Sequence, residues 1–297
     1  MKKIIALALA LLWLLAAAAV CEEAPGAEAF DDPGASMAST LELTNMTISV
    51  VQSGRAKGVR LKDMTLRLTM GGAEGVPTMQ VNFDNGKGQQ VDAVIQIVDS
   101  RLLMAVGGIA GTYYVDLERI GGEDGLGAQV ATGYGKAMML AGPHLDVLLM
   151  ALPTTDASGM RTLEISLPNR IYTAVAEAML AVAEGMDSTE ETDVEGLRER
   201  VDSSGEDATL SIRYRQSTGD IEIAAMQGKS GAQIAATMAM KAEPTVMVNI
   251  SADEEQYDLM NLDADTLELM RSELEMIALK FGNFAGGTGL SRIFKLK

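Results

Sequence analysis

Asp116 and Glu118 stand two residues apart at the end of the alternating run Tyr113 to Leu117, a spacing that would set both carboxylates on one strand face. Two carboxyl groups so placed are compatible with acid/base work on a glycosidic bond. The chain, however, carries 41 Asp and Glu against 24 Lys and Arg. Carboxylates are therefore expected on exposed strand faces throughout, and that ordinary role accounts for the pair. His144 is the only histidine, so no pair of imidazoles can ligate a metal and no second imidazole base exists. Cys21 is the only thiol, and it lies in a segment too irregular to hold a nucleophile in place. No Ser-x-x-Lys occurs. Gly133-Tyr134-Gly135-Lys136-Ala137 imitates a phosphate loop, but Val130 replaces its first glycine and Ala137 its Ser/Thr. Asn261-Leu262-Asp263-Ala264-Asp265 imitates the start of a calcium loop. Thr266 then stands where glycine is required and Ser272 where the bidentate glutamate belongs, so helix capping explains those acids better. The expectation is a protein that is not an enzyme and uses no cofactor and no metal.

The amino terminus addresses the chain. Met1-Lys2-Lys3 followed by the apolar run Ile4 to Val20 has the form of a bacterial export signal, with Ala17-Ala18-Ala19 as a small-residue cleavage site. Residues 1–20 are read as that signal and 21–39, Ala/Gly/Pro-rich and acidic, as a flexible linker. Residues 40–297 then form a single domain, long enough to bury a sizeable core. Cys21 directly after the apolar run resembles the acylated first residue of a bacterial lipoprotein. Val20 departs from the small residue expected at the cut, so a lipid anchor at Cys21 and ordinary secretion after Ala19 both stay open. Either route ends outside the cytoplasm, secreted or on the outer face of the cell membrane. The net charge of −17 repels phosphate backbones, which argues against nucleic acid. It also repels anionic membranes, leaving an acylated Cys21 as the one route to a bilayer.

Period-two alternation dominates the body. Ala208, Leu210, Ile212 and Tyr214 alternate with polar residues, Ser217-Thr218-Gly219-Asp220 turns the chain, and Ile221-Glu222-Ile223 returns. Ile234 to Met240 and Val246, Val248, Ile250 would complete a four-strand meander with one apolar and one wet face. Earlier, Met79 to Phe83, the turn Asn85-Gly86-Lys87-Gly88, Val91 to Ile97, Leu102 to Val106, and Tyr113 to Leu117 read as another meander. Two runs change parity part-way. In Thr40 to Val51, Leu41 and Leu43 are followed by Met46, Ile48 and Val50; in Val59 to Met70, Val59 and Leu61 are followed by Met64, Leu66 and Leu68. A parity change demands a bulge or bend, and two at similar depth predict a strongly curved sheet.

Helices are expected between the meanders. Pro143 starts one through Leu145, Leu148, Leu149 and Leu152. Asn169 caps another with Ile171, Val175, Met179 and Val182, ended by Gly185. Ser251-Ala252-Asp253-Glu254 has a capping-box pattern. Asp263 caps a third helix with Leu267, Met270, Leu274, Ile277 and Phe281, and Ile293 to Leu296 reads as a last edge strand. The acidic stretch Asp187 to Asp207 is read as a solvated face. The expected fold class is α+β: a strongly curved antiparallel β-sheet, a half-barrel, with helices packed on its concave apolar face.

An export signal, a tether, and curved hairpins such as Leu210 to Tyr214 turning through Ser217-Thr218-Gly219-Asp220 into Ile221 resemble the bacterial envelope lipoprotein-carrier superfamily of LolA- and LppX-like half-barrels. The resemblance is architectural, over residues 40–281. It implies a sheet wrapped round helices and a cavity for acyl chains, lined by side chains such as Met138, Leu148, Leu149, Met150, Val175 and Met179. A Met-rich lining re-packs round variable ligands. The function expected is an exported, non-catalytic protein sheltering a lipid or lipopeptide. The alternative is a surface-exposed structural or interaction module with a solid core.

Overall fold

In the computed structural model the described residues are 37–61, 63–73, 76–119, 149–154, 159–167, 169, 207–244, 249–251, 254–259 and 261, with scattered positions between 272 and 283. They form one 12-stranded sheet: β1 (Met37–Gln52), β2 (Arg55–Arg60), β3 (Thr65–Ala73), β4 (Val76–Asp84), β5 (Gln90–Val98), β6 (Arg101–Val106), β7 (Thr112–Asp116), β8 (Met160–Leu167), β9 (Ala208–Arg215), β10 (Asp220–Gln227), β11 (Ser230–Pro244) and β12 (Gln256–Asp258). The spatial order is β12-β7-β6-β5-β4-β3-β1-β11-β10-β9-β8, with β2 beside β1. Each meander is therefore a set of sequence neighbours, β3–β7 and β8–β11, and β1 is the seam that joins them.

Both parity changes occupy structural breaks. The β1–β11 register slips between Thr44 and Thr47, where Asn45 takes a left-handed φ of 52°. That extra residue keeps Leu41 and Leu43 on the buried face together with Met46 and Ile48. The second run is not one bulged strand but two. β2 and β3 pair with successive halves of β1, separated by a corner at Leu61, Asp63 and Met64, with Asp63 at φ 60°. Leu61 and Met64 point into the core from that corner, and Leu61 N–H donates to the Met46 carbonyl at 2.8 Å. The bend thus runs across both strands at one depth. The Asn85–Gly88 turn packs against it. Gly86, at φ 67°, has no room for a side chain, because a Cβ there would lie 2.4 Å from the Asp63 carbonyl oxygen. Asn85 is buried and satisfied: its Oδ1 accepts from Lys87 N and Gln89 N, and its Nδ2 donates to Gln89 Oε1.

The fold class differs from the α+β expectation. The described residues are nearly all strand in one large sheet. Among the described residues helical conformation is confined to the single turn Leu117–Arg119, to 149–151, to Asn169 and to scattered positions in 272–283. The sheet is also mixed and not purely antiparallel, because β12 lies parallel to β7. The physical reason is the number of alternating runs: they extend one ladder through twelve strands, and that ladder, not helical packing, is the frame of the protein. Most of the segments expected to be helices, 126–152, 170–184 and 264–281, lie outside the described residues, as do the segment 1–36 and the strand proposed at 293–296. Of the expected fourth meander strand, Ile250 is irregular and Val246 and Val248 are outside the described residues.

No helix follows Glu254 despite the capping-box pattern that begins at Ser251, and the reason is a contact distant in sequence. Glu254 Oε2 accepts from Thr112 Oγ1 at 2.8 Å and the Glu255 carbonyl accepts from Thr112 N–H, which leads the chain into β12 instead of a helix.

Candidate ligand-binding face

One face of the sheet is continuously apolar. Register places Met70, Met79, Ile95, Met104, Tyr113 and Tyr257 in a single row across β3, β4, β5, β6, β7 and β12. Neighbouring strands lie about 4.8 Å apart, so the row spans about 24 Å. Alternation supplies each member: every second residue of each strand is apolar, and antiparallel pairing sets those residues side by side. A parallel row, Ile97, Leu102 and Val115, runs beside it nearer the strand ends.

Burial along this face is graded. Met79 is fully buried and Leu41, Leu66 and Leu68 around it nearly so, whereas Ile95, Ile97, Leu102 and Met104 are only half-buried. Aliphatic groups in the second set keep accessible surface, as do Phe83, Ala93 and Val115 on the same face. At the far end of the row the Tyr113 and Tyr257 rings pack 5.5 Å apart. The Tyr113 hydroxyl is buried and has no hydrogen-bond partner. Burial pushes its phenol well above the usual value, with the Glu273 carboxylate and Tyr257 adding to the shift, so the group stays neutral and able to donate. Tyr257 is pushed up as well, by burial first and then by Glu255.

The opposite face of the same strands is polar but locally covered. Gln96 and Thr78, both buried, lie there beside Leu103. Gln96 Nε2 donates to Thr78 Oγ1 at 3.0 Å and to Asn249 Oδ1 at 2.6 Å, and its Oε1 accepts from Ile250 N–H at 3.0 Å. Residues 249–250 are thus pinned across β4 and β5 on the way to β12. An ion pair from Arg119 to Asp258 at 3.0 Å, with Asp116 at 3.4 Å, closes the β7–β12 edge.

The residues expected to line a ligand cavity fall out as follows. Leu149 is buried and belongs, with Leu152, to the core under the sheet face. Met150 is turned out, 36% exposed, because consecutive helical residues diverge by about 100°; its carbonyl accepts from the Arg161 guanidinium. Met138, Leu148, Val175 and Met179 lie outside the described residues, and so do Cys21, His144 and the loop 133–137. Asp116 and Glu118 do not share a strand face, because β7 ends at Asp116. The Asp116 carboxylate caps the turn by accepting from Glu118 N–H at 3.0 Å, and Glu118 has already left the strand. Asn169 Oδ1, expected at a helix cap, accepts from Gln227 Nε2.

Sequence reading missed Tyr113, Tyr257 and Gln96 as a group. Tyr113 carried a signal as the apolar member of an alternating run, but its neighbour Tyr257 arrives from a three-residue strand with no pattern of its own. Among the described residues no cluster of three His, Cys, Asp or Glu could hold a metal ion, and no helix is long and apolar enough to cross a membrane. The fold and face define a large, mixed single-sheet β protein with one apolar side. No protein-family model matches the chain, and no curated protein matches it.

Proposed function

We propose that this is an exported, non-catalytic protein of the bacterial envelope that shelters an apolar, lipid-like ligand against the apolar face of its sheet. The observation that carries the reading is the half-buried aliphatic stretch of Ile95, Ile97, Leu102 and Met104, continuous with a fully buried core. A core residue with retained accessible surface is where an acyl chain gains by leaving water, about 0.8 kcal/mol per methylene. Methionine in that stretch adapts to ligands of different shape. Export rests on the sequence of residues 1–20, and attachment to a bilayer, if present, on acylation of Cys21.

Mass spectrometry of an organic extract of protein purified from its native envelope tests the ligand. A bound acyl-containing molecule is expected, and the delipidated protein should take up dansyl-undecanoic acid with a blue-shifted emission that Met104→Asp abolishes. An empty extract together with no dansyl uptake would overturn the reading. The intact mass of the same preparation decides between an acylated Cys21 and a chain beginning near residue 20. A second reading, an interaction module with a solid core, is favoured by Met276 and Leu279, which are 50% and 57% exposed at helical i, i+3 spacing. It predicts a ligand-free protein whose stability does not change on delipidation.

A further inference from the structure

β2 is unlike every other strand in this sheet. Five of its six residues are exposed and the sixth is half-buried. It pairs with β1 on one side, and among the described residues nothing pairs with its other edge. Its sequence, Arg55-Ala56-Lys57-Gly58-Val59-Arg60, holds three cations in a chain whose net charge is −17. A fourth, Lys229, stands at the tip of the neighbouring β10–β11 hairpin, whose Lys229 carbonyl accepts from Gly54 N–H at 2.7 Å and whose Ser230 Oγ accepts from Ser53 N–H at 3.1 Å. The two hairpin tips are therefore held together. Among the described residues none of these four side chains has an acidic partner, whereas Arg67, Arg119, Arg213 and Arg215 elsewhere in the sheet do.

We infer that the open edge of β2 is a docking site for an extended acidic peptide segment, which adds to the sheet as a further strand. An unpaired ladder offers backbone donors and acceptors along about 20 Å, enough to fix five or six residues of an incoming chain. Side chains supply the selection. Arg55 and Lys57 share one face, about 7 Å apart, so an incoming strand is matched when it carries Asp or Glu at alternate positions. The same cations reject a second copy of this chain: antiparallel pairing of β2 with itself about its centre would set Arg55 against Arg60. An acidic peptide is favoured over an anionic membrane because the remainder of the protein is strongly acidic and a bilayer makes no use of an open ladder.

The test is fluorescence anisotropy with the full chain and fluorescein-labelled Val-Glu-Val-Glu-Val-Glu-Val amide. Saturable, salt-sensitive binding is expected, with amide-exchange protection appearing at residues 55–60. Lys in place of Glu in the peptide should abolish binding. R55E/K57E should weaken it about tenfold, and because both side chains are exposed its circular dichroism should match the parent. N-methylation of alternate peptide amides should also remove binding, since it blocks the ladder but leaves the charges. The inference is overturned if the N-methylated peptide binds as well as the parent, if R55E/K57E binds unchanged, if residues 55–60 gain no protection, or if phosphatidylglycerol vesicles bind the chain and the peptide does not.

Discussion

Removing the Gln96 amide should detach the segment that crosses the polar face while leaving the apolar face intact. In Gln96→Ala three hydrogen bonds disappear: those to Thr78 Oγ1 at 3.0 Å and Asn249 Oδ1 at 2.6 Å, and the one accepted from Ile250 N–H at 3.0 Å. Thr78 keeps a partner, because its hydroxyl donates to the Val76 carbonyl at 2.9 Å. A buried hydrogen bond contributes about 1 kcal/mol net, so the substitution should lower unfolding free energy by about 3 kcal/mol. Urea denaturation measures that quantity. Hydrogen exchange read by mass spectrometry locates it, with amides of 249–259 losing protection before those of β3 and β4. An internal control sits on the same sheet: Glu42→Gln breaks an exposed ion pair with Arg67 at 2.7 Å and should cost under about 1 kcal/mol. The reasoning is refuted if Gln96→Ala and Glu42→Gln cost the same, or if 249–259 keeps its protection.

Tyr113→Phe removes a buried hydroxyl that has no partner and should leave the ligand-free protein as stable as before, or up to about 2 kcal/mol more stable, by thermal or urea unfolding. Tyr113, Tyr114, Tyr214 and Tyr257 all have phenols raised above the usual 10.0, in each case by burial first. A raised acid favours the neutral folded form, so its contribution is complete below pH 10 and is lost as pH climbs beyond that value. Absorbance at 295 nm should therefore show at least four of the six tyrosines ionising only together with unfolding, and more than two titrating before it would contradict the argument. Gly86→Ala forces a Cβ against the Asp63 carbonyl at a left-handed φ and should cost about 1–3 kcal/mol in the same denaturation assay. Met79→Ala, at a position with no accessible surface, should cost about 2–5 kcal/mol.

Faces were legible in the sequence; partners were not. Alternation in Leu41, Leu43, Met46 and Ile48 demanded a parity change, and the structure meets it with the slip at Thr44/Thr47. The same logic located the corner at Leu61, Asp63 and Met64, though as a strand break and not a bulge. Hairpins with turn residues, Asn85 to Gly88 and Ser217 to Asp220, were also readable, because local backbone chemistry decides them. Period two says nothing about which strand lies alongside, so the central role of β1 left no local trace. β12 escaped for a different reason: Ser251 and Glu254 have capping chemistry, and a distant hydroxyl, Thr112, claims the glutamate. The helical class failed because apolar spacing of three and four describes a face without telling how much of the frame the helices make. Of the apolar face, the aliphatic members were visible as strand residues. The graded accessibility that sets Ile95 and Met104 apart from Met79 depends on the sheet's own geometry.

The seam at β1 has a kinetic consequence. Thr44 and Thr237 meet across it although 193 residues separate them, whereas β3–β7 and β8–β11 are built from neighbours in sequence. Long-range closure is slow because the loop entropy must be overcome before the ladder forms. A ribosome that has delivered β1 to β7 has made a strand with one side unmatched, and no shorter product can complete it. The two halves of the molecule can each begin to order alone, but β1 meets β11 only after the polypeptide has extended past residue 244, and β12 completes the sheet later still, at Gln256–Asp258.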